Sequence, residues 1–136
     1  MAHPYNDRAS GIDERGIRPP AAFSVEAVVT TGGVLVLALA GELDMASAGT
    51  FRAAVDRAFE ADERRGVVID LGETEFMDSS MLKELLRAHA ELQARDCELV
   101  LCHVGQTIKR LLDLTGTAAM LRCEKTREAA LARLAP

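Results

Sequence analysis

An acid followed by two serines, Asp78-Ser79-Ser80, is the stretch of this sequence best suited to chemistry. It lies between the apolar run 67–71, which is typical of a buried strand, and a segment with helical periodicity. The apolar face of that segment consists of Leu82, Leu85, Leu86, His89 and Leu92. The serines are therefore predicted at the start of a helix, where a hydroxyl can be a helix cap, a nucleophile or a phosphorylation site.

Composition limits the classes of function. The chain has 136 residues, of which 49% are hydrophobic and 27% charged, as expected for one globular domain with a tail. Its net charge of −5 disfavours a nucleic-acid partner and favours a basic protein surface. The longest apolar stretch, residues 34–40, is too short to span a bilayer, so we expect a cytoplasmic protein without membrane insertion.

The cysteines and histidines predict neither a metal site nor a cofactor. Cys97, Cys102 and Cys123 are odd in number and fit no zinc-ligand spacing, so they are interpreted as buried, reduced thiols. His89 lies on an apolar helical face, where a core histidine bonded to backbone is expected. His103 ends a strand and has no evident carboxylate partner in the sequence.

The pattern of elements predicts an α/β fold. Residues 1–20 are polar and rich in proline and glycine and are interpreted as a disordered extension, with the domain over residues 21–136. Apolar runs predict strands at 23–29, 34–39, 67–71 and 98–102, with a small edge strand at 119–122. Helical periodicity predicts four helices, at 47–62, 80–95, 106–114 and 126–134, with Asp44 and Ser47 as alternative caps of the first. The alternation predicts a mixed sheet of four to five strands whose first two strands form a hairpin.

Four segments resemble the STAS domains of bacterial anti-sigma factor antagonists. They are Gly41-Glu42-Leu43-Asp44, the strand at 67–71, Phe76-Met77-Asp78-Ser79-Ser80, and residues 104–116. Their order and spacing agree with the family from about Phe23 to the C-terminus. The resemblance implies a STAS-like single domain over nearly the whole folded part.

The resemblance also implies a function based on regulated binding without catalysis. In this family the antagonist binds an anti-sigma factor that is also a serine kinase, and thereby releases a sigma factor. The kinase phosphorylates the serine that follows the motif aspartate, the partners separate, and a phosphatase resets the cycle. In this sequence the implied phosphorylation site is Ser79, and the implied partner-binding residues are Asp44, Asp78 and Ser80.

Met81 stands where the family usually has glycine after the two serines. Its flexible apolar side chain is interpreted as a further partner contact or as a hindrance to a kinase. The residue keeps open a related alternative, an unphosphorylated STAS scaffold or transporter-associated subunit. A remote alternative is a serine hydrolase using Ser79 with His89 or His103, although the sequence contains no G-x-S-x-G elbow.

Overall fold

The computed structural model describes residues 23–30, 32–60 and 66–135. Five strands and four helices follow one another along these residues, and they are numbered here in chain order. The strands are β1 Ser24–Val29, β2 Val34–Ala40, β3 Gly66–Glu73, β4 Glu98–Cys102 and β5 Arg122–Glu124. The helices are α1 Met45–Phe59, α2 Ser79–Gln93, α3 Gln106–Thr115 and α4 Arg127–Leu134.

The strands form one mixed sheet in the order β1-β2-β3-β4-β5. β1 pairs with β2 in antiparallel fashion, and every later pair is parallel. The β1–β2 turn closes through Thr30, whose N–H donates to Val34 O at 2.8 Å, and through Gly33, which has a φ of 83°. A residue with a side chain is strained at that φ, and glycine is not. The predicted α/β class, hairpin and mixed sheet are confirmed.

The central strands are buried on both faces, so their alternate residues enter two different cores. One face carries Leu37, Ile69 and Leu101 and packs against α1, α2 and α3. The other carries Val68 and Val100 and packs against α4. Side chains that alternate along a strand point to opposite faces, which is why a continuous apolar run is needed here.

The last strand differs from its prediction. It covers Arg122–Glu124 instead of 119–122. The N–H groups of Thr117 and Ala118 are already bonded to Leu112 O, and those of Met120 and Leu121 to Thr117 O. These N–H groups are used in hydrogen bonds that end α3 and form the turn after it, so they are not available to a strand. The chain therefore pairs with β4 only from Arg122 onwards.

The helix boundaries agree with the sequence pattern to within a few residues, with α1 beginning at Met45 and α2 at Ser79. The predicted extension at 1–20 and the predicted end of the first helix at 62 lie outside the described residues. Within the described part of the chain, no helix is both long and apolar enough to cross a membrane.

Candidate functional site

Two loops that follow neighbouring parallel strands are joined at one edge of the sheet. Residues 41–44 follow β2, and residues 74–78 follow β3. The Leu43 N–H donates to Phe76 O at 3.1 Å, and the Asp78 N–H donates to Leu43 O at 2.9 Å. Because Leu43 and Met77 also form a parallel bridge, the starts of α1 and α2 are held side by side.

The start of α1 is fixed by a reciprocal pair of hydrogen bonds. Asp44 Oδ1 accepts from the Ser47 N–H at 3.1 Å, and Ser47 Oγ accepts from the Asp44 N–H at 2.8 Å. This arrangement follows the logic of a capping box, in which two orphan donors are satisfied at once. Asp44 is therefore the cap, and Ser47 is a buried third helical residue that supports it.

The start of α2 is capped by Asp78 and not by either serine. Asp78 Oδ1 accepts from the Met81 N–H at 3.0 Å, and the Asp78 backbone is extended, with φ −98° and ψ 178°. Ser79 is the first helical residue and is exposed, while Ser80 is half-buried. The capping role considered for the serines is thus taken by the acid before them, which leaves the Ser79 hydroxyl at the surface.

Met81 does not lie on this surface. Its side chain is 0% exposed and belongs to the core cluster beneath α1 and α2. The Met81 side chain, which was expected to contact a partner or to hinder a kinase, is therefore not exposed in this structure. In the first two turns of α2 the buried positions are Met81, Leu82 and Leu85, so residue 81 falls on the helix face turned towards the sheet.

Two exposed apolar side chains, which the sequence analysis did not single out, lie beside the serines. Met45 is 74% exposed at the start of α1, and Phe76 is 45% exposed in the loop before Asp78. Exposed Glu42 and Glu75 flank them, and Asp44 and Asp78 are half-buried. We call the residues Glu42, Asp44, Met45, Glu75, Phe76, Asp78, Ser79 and Ser80 the helix-start surface. Its apolar centre and acidic border are suited to binding a protein with a basic surface.

A second polar cluster is centred on Asp70, near the end of β3. Asp70 Oδ1 lies 3.0 Å from His103 Nδ1 and accepts from the Gly72 N–H at 2.9 Å. Asp70 Oδ2 accepts from Arg127 Nε at 3.1 Å and from Arg127 Nη2 at 2.9 Å. Burial is the largest influence and opposes ionisation, but the bonds from Gly72, His103 and Arg127 together outweigh it and lower the pKa of Asp70.

Several sequence-based interpretations of this region change. Asp70 accepts from the Gly72 N–H, and it also gives His103 the carboxylate partner that the sequence did not reveal. His89 is half-buried, and its Nδ1 is buried without a hydrogen-bond partner, contrary to the expected backbone bond. Among the three cysteines, only Cys102 is buried.

The hydrolase alternative requires a base in contact with Ser79. Among the described residues, no hydrogen bond joins Ser79 to His89 or His103, and the carboxylate–imidazole pair is formed by Asp70 with His103 instead. The Ser79 hydroxyl is therefore exposed at a helix start, and in the described part of the chain no histidine is bonded to it as the base of a nucleophilic serine would be.

Comparison with known proteins agrees with this fold. Residues 27–130 match the model of the STAS domain family. The chain is 33% identical over 84 residues to an anti-sigma F factor antagonist of Paenibacillus polymyxa, covering 62% of this chain and 72% of that one. The chain thus belongs to the STAS domain family of anti-sigma factor antagonists, which is generally non-enzymatic.

Solved structures show the same architecture. An anti-sigma factor antagonist from Mycobacterium paratuberculosis is 27% identical, with a TM-score of 0.74 over 83% of this chain and 94% of that one. The Bacillus cell fate determinant SpoIIAA in its phosphorylated form is 26% identical, with a TM-score of 0.64 over 83% of this chain and 99% of that one. The latter is a protein of this fold in a phosphorylated form.

Proposed function

We propose that the protein is an anti-sigma factor antagonist whose binding is switched off by phosphorylation of Ser79. The observation that carries the proposal is the exposure of Ser79 at the first position of α2, directly after the capping Asp78 and beside exposed Phe76 and Met45. The partner is an anti-sigma factor that is also a serine kinase, a phosphatase reverses the reaction, and the cycle operates in the cytoplasm. The relative from Paenibacillus polymyxa, named as an antagonist of an anti-sigma F factor, supports this choice of partner.

The helix start explains why phosphorylation need not unfold the domain. The first N–H groups of a helix have no acceptor within the helix, and the positive end of the helix dipole lies there. Asp78 uses the N–H of Met81, so other first-turn donors remain to face a phosphate on Ser79. A phosphoryl group adds about −1.5 to −2 charges at pH 7 and can therefore be held in the folded domain.

The same modification is incompatible with a closely packed complex. Without phosphate, Met45 and Phe76 offer apolar area that a partner can bury, and the flanking carboxylates offer hydrogen-bond acceptors. A phosphate between them adds bulk and a charge that is costly to desolvate, next to Asp78. Binding is therefore expected to weaken strongly while the fold is retained.

Met81 was the residue that favoured an unphosphorylated scaffold. Because its side chain is buried, the departure from the family's usual glycine changes the core and not the exposed surface. A kinase that approaches Ser79 therefore does not meet the Met81 side chain, and the phosphorylation switch is the function that the geometry supports best.

The test is a phosphorylation assay with site mapping. The full chain is incubated with ATP and each candidate anti-sigma factor kinase, and the modified residue is identified by mass spectrometry. Phosphate is expected on Ser79 in the wild type and in Ser80→Ala, and is expected to be absent from Ser79→Ala. Ser79→Ala should bind the anti-sigma factor whether or not ATP is present, and Ser79→Asp should bind it more weakly. Phosphate confined to Ser80, or wild-type affinity in Ser79→Asp, would show that the switch is assigned to the wrong residue.

A further inference from the structure

Three side chains of metal-ligating type converge at the end of β3 and β4. Asp70 and Cys102 are register partners in the parallel β3–β4 pair, so they lie opposite each other on neighbouring strands. His103 follows Cys102 and would ordinarily point to the other face of the sheet. Its φ of 53° breaks that alternation and directs its Nδ1 to within 3.0 Å of Asp70 Oδ1. One ligand atom from each of the three residues lies within 4.8 Å of the others.

From this geometry we propose that Asp70, Cys102 and His103 form a binding site for Zn²⁺ or a similar borderline-soft divalent cation. A thiolate, an imidazole and a carboxylate together suit Zn²⁺ or Co²⁺, whereas Mg²⁺ and Ca²⁺ select oxygen ligands. The His103 side chain is 42% exposed, so a water can complete a tetrahedral set as the fourth ligand.

The two carboxylate oxygens of Asp70 have different partners, and Oδ1 also accepts from the Gly72 N–H at 2.9 Å. Arg127 donates both of its hydrogen bonds to Asp70 Oδ2, so Oδ1 remains the oxygen that faces His103. A cation between Oδ1 and Nδ1 replaces their mutual hydrogen bond and keeps Arg127 as the outer partner that orients the carboxylate. Residue 72 is glycine, and a Cβ there would come within 3.1 Å of Asp70 Oδ1 and 3.3 Å of the His103 Cβ.

Metal binding at this site must release a proton. A cysteine thiol carries its proton at neutral pH, whereas a metal ion binds the thiolate. Coordination breaks the S–H bond, forms the S–metal bond and transfers the proton to solvent. The bound cation then links the ends of β3 and β4, and Arg127 connects it to the start of α4. This face of the sheet is the one covered by α4, whereas α1 and α2, which bear the helix-start surface, pack on the other.

Cobalt titration of the chelator-treated full chain tests the site. Co²⁺ should produce a thiolate-to-cobalt charge-transfer band in the near ultraviolet at one equivalent. Zn²⁺ should abolish the band, and Mg²⁺ should leave it unchanged. Proton release into weakly buffered solution should accompany the titration. A wild-type chain that gives no band would overturn the proposal.

Two ligand variants and one control identify the residues. Cys102→Ala should lack the band, whereas Cys123→Ser, which removes an exposed thiol outside the cluster, should keep it. His103→Asn retains a residue type that tolerates positive φ, and it should weaken Co²⁺ binding by at least about tenfold, the smallest loss seen even for outer-shell partners. Circular dichroism establishes whether each variant is folded. If Cys102→Ala is unfolded, the Co²⁺ affinity of folded His103→Asn tests the assignment of the ligands. A band that survives in Cys102→Ala, or unchanged affinity in folded His103→Asn, would refute the assignment.

Discussion

Truncating Met81 should destabilise the domain severely, although the family usually has no side chain at this position. Met81 is fully buried among the residues that join α1 and α2 to the sheet. Truncation of a buried methionine to alanine costs about 2–5 kcal/mol, because apolar contacts are lost and a cavity remains. Glycine costs about 1 kcal/mol more than alanine within a helix. Met81→Gly is thus expected to lose about 3–6 kcal/mol, a large part of the roughly 5–15 kcal/mol that stabilises a typical domain.

The assay is urea unfolding followed by circular dichroism, with matched substitutions at a second methionine. Met45 also lies at a helix start but is 74% exposed, so Met45→Ala should change the free energy of unfolding by no more than about 0.5 kcal/mol. Met81→Leu preserves volume and should cost less than about 1.5 kcal/mol.

These variants also separate stability from kinase recognition. Met81→Leu should be phosphorylated on Ser79 to the same extent as the wild type, because its exposed surface is unchanged. A loss below about 1 kcal/mol in Met81→Ala would refute the reasoning, since it would mean that residue 81 is not tightly packed. Equal losses of unfolding free energy in Met81→Ala and Met45→Ala would also refute it, because the buried and the exposed methionine would then contribute equally.

Three further predictions follow from the site and from the sequence. Asp78→Ala removes the cap of α2 and should lower the free energy of unfolding by about 1 kcal/mol in urea titrations; an unchanged midpoint would contradict the capping role. Phe76→Ser should weaken anti-sigma factor binding by about 2 kcal/mol, because an aromatic ring that is 45% exposed offers roughly 90 Å² to bury. The control is Leu114→Ser, whose residue is 76% exposed near the end of α3, and calorimetry should find no loss of affinity in this variant. Equal losses of affinity in the two variants would place the docking surface elsewhere. Deleting residues 2–20 should leave the melting temperature almost unchanged, because that segment has little apolar area to bury; a drop of several degrees would show that it packs on the domain.

The order of elements could be predicted from local patterns because each pattern has one dominant physical cause. Period-2 and continuous apolar runs predicted the first four strands, and helical periodicity predicted all four helices to within a few residues. The edge strand could not be placed, because its start depends on which amides the end of α3 has already engaged. Local propensity contains no information about that competition.

The site was predictable only in part, for a similar reason. The sequence by itself placed Ser79 after an acid at a helix start, and the structure leaves that hydroxyl exposed. It did not determine which residue caps α2, nor that Met81 points into the core. Capping depends on side-chain distances of about 3 Å, and burial depends on the rotation of the helix against the sheet.

The sequence determined the class of fold, the family motifs and the position of the exposed serine, because these depend on residues close together along the chain. The tertiary structure alone decided that Asp44 and Asp78 lie at adjacent helix starts, and that Asp70 meets Cys102 and His103. Parallel strands bring together residues more than thirty positions apart through a register that no single segment encodes. A left-handed backbone at His103 then overrides the normal alternation of a strand, and this last step completes the proposed metal site.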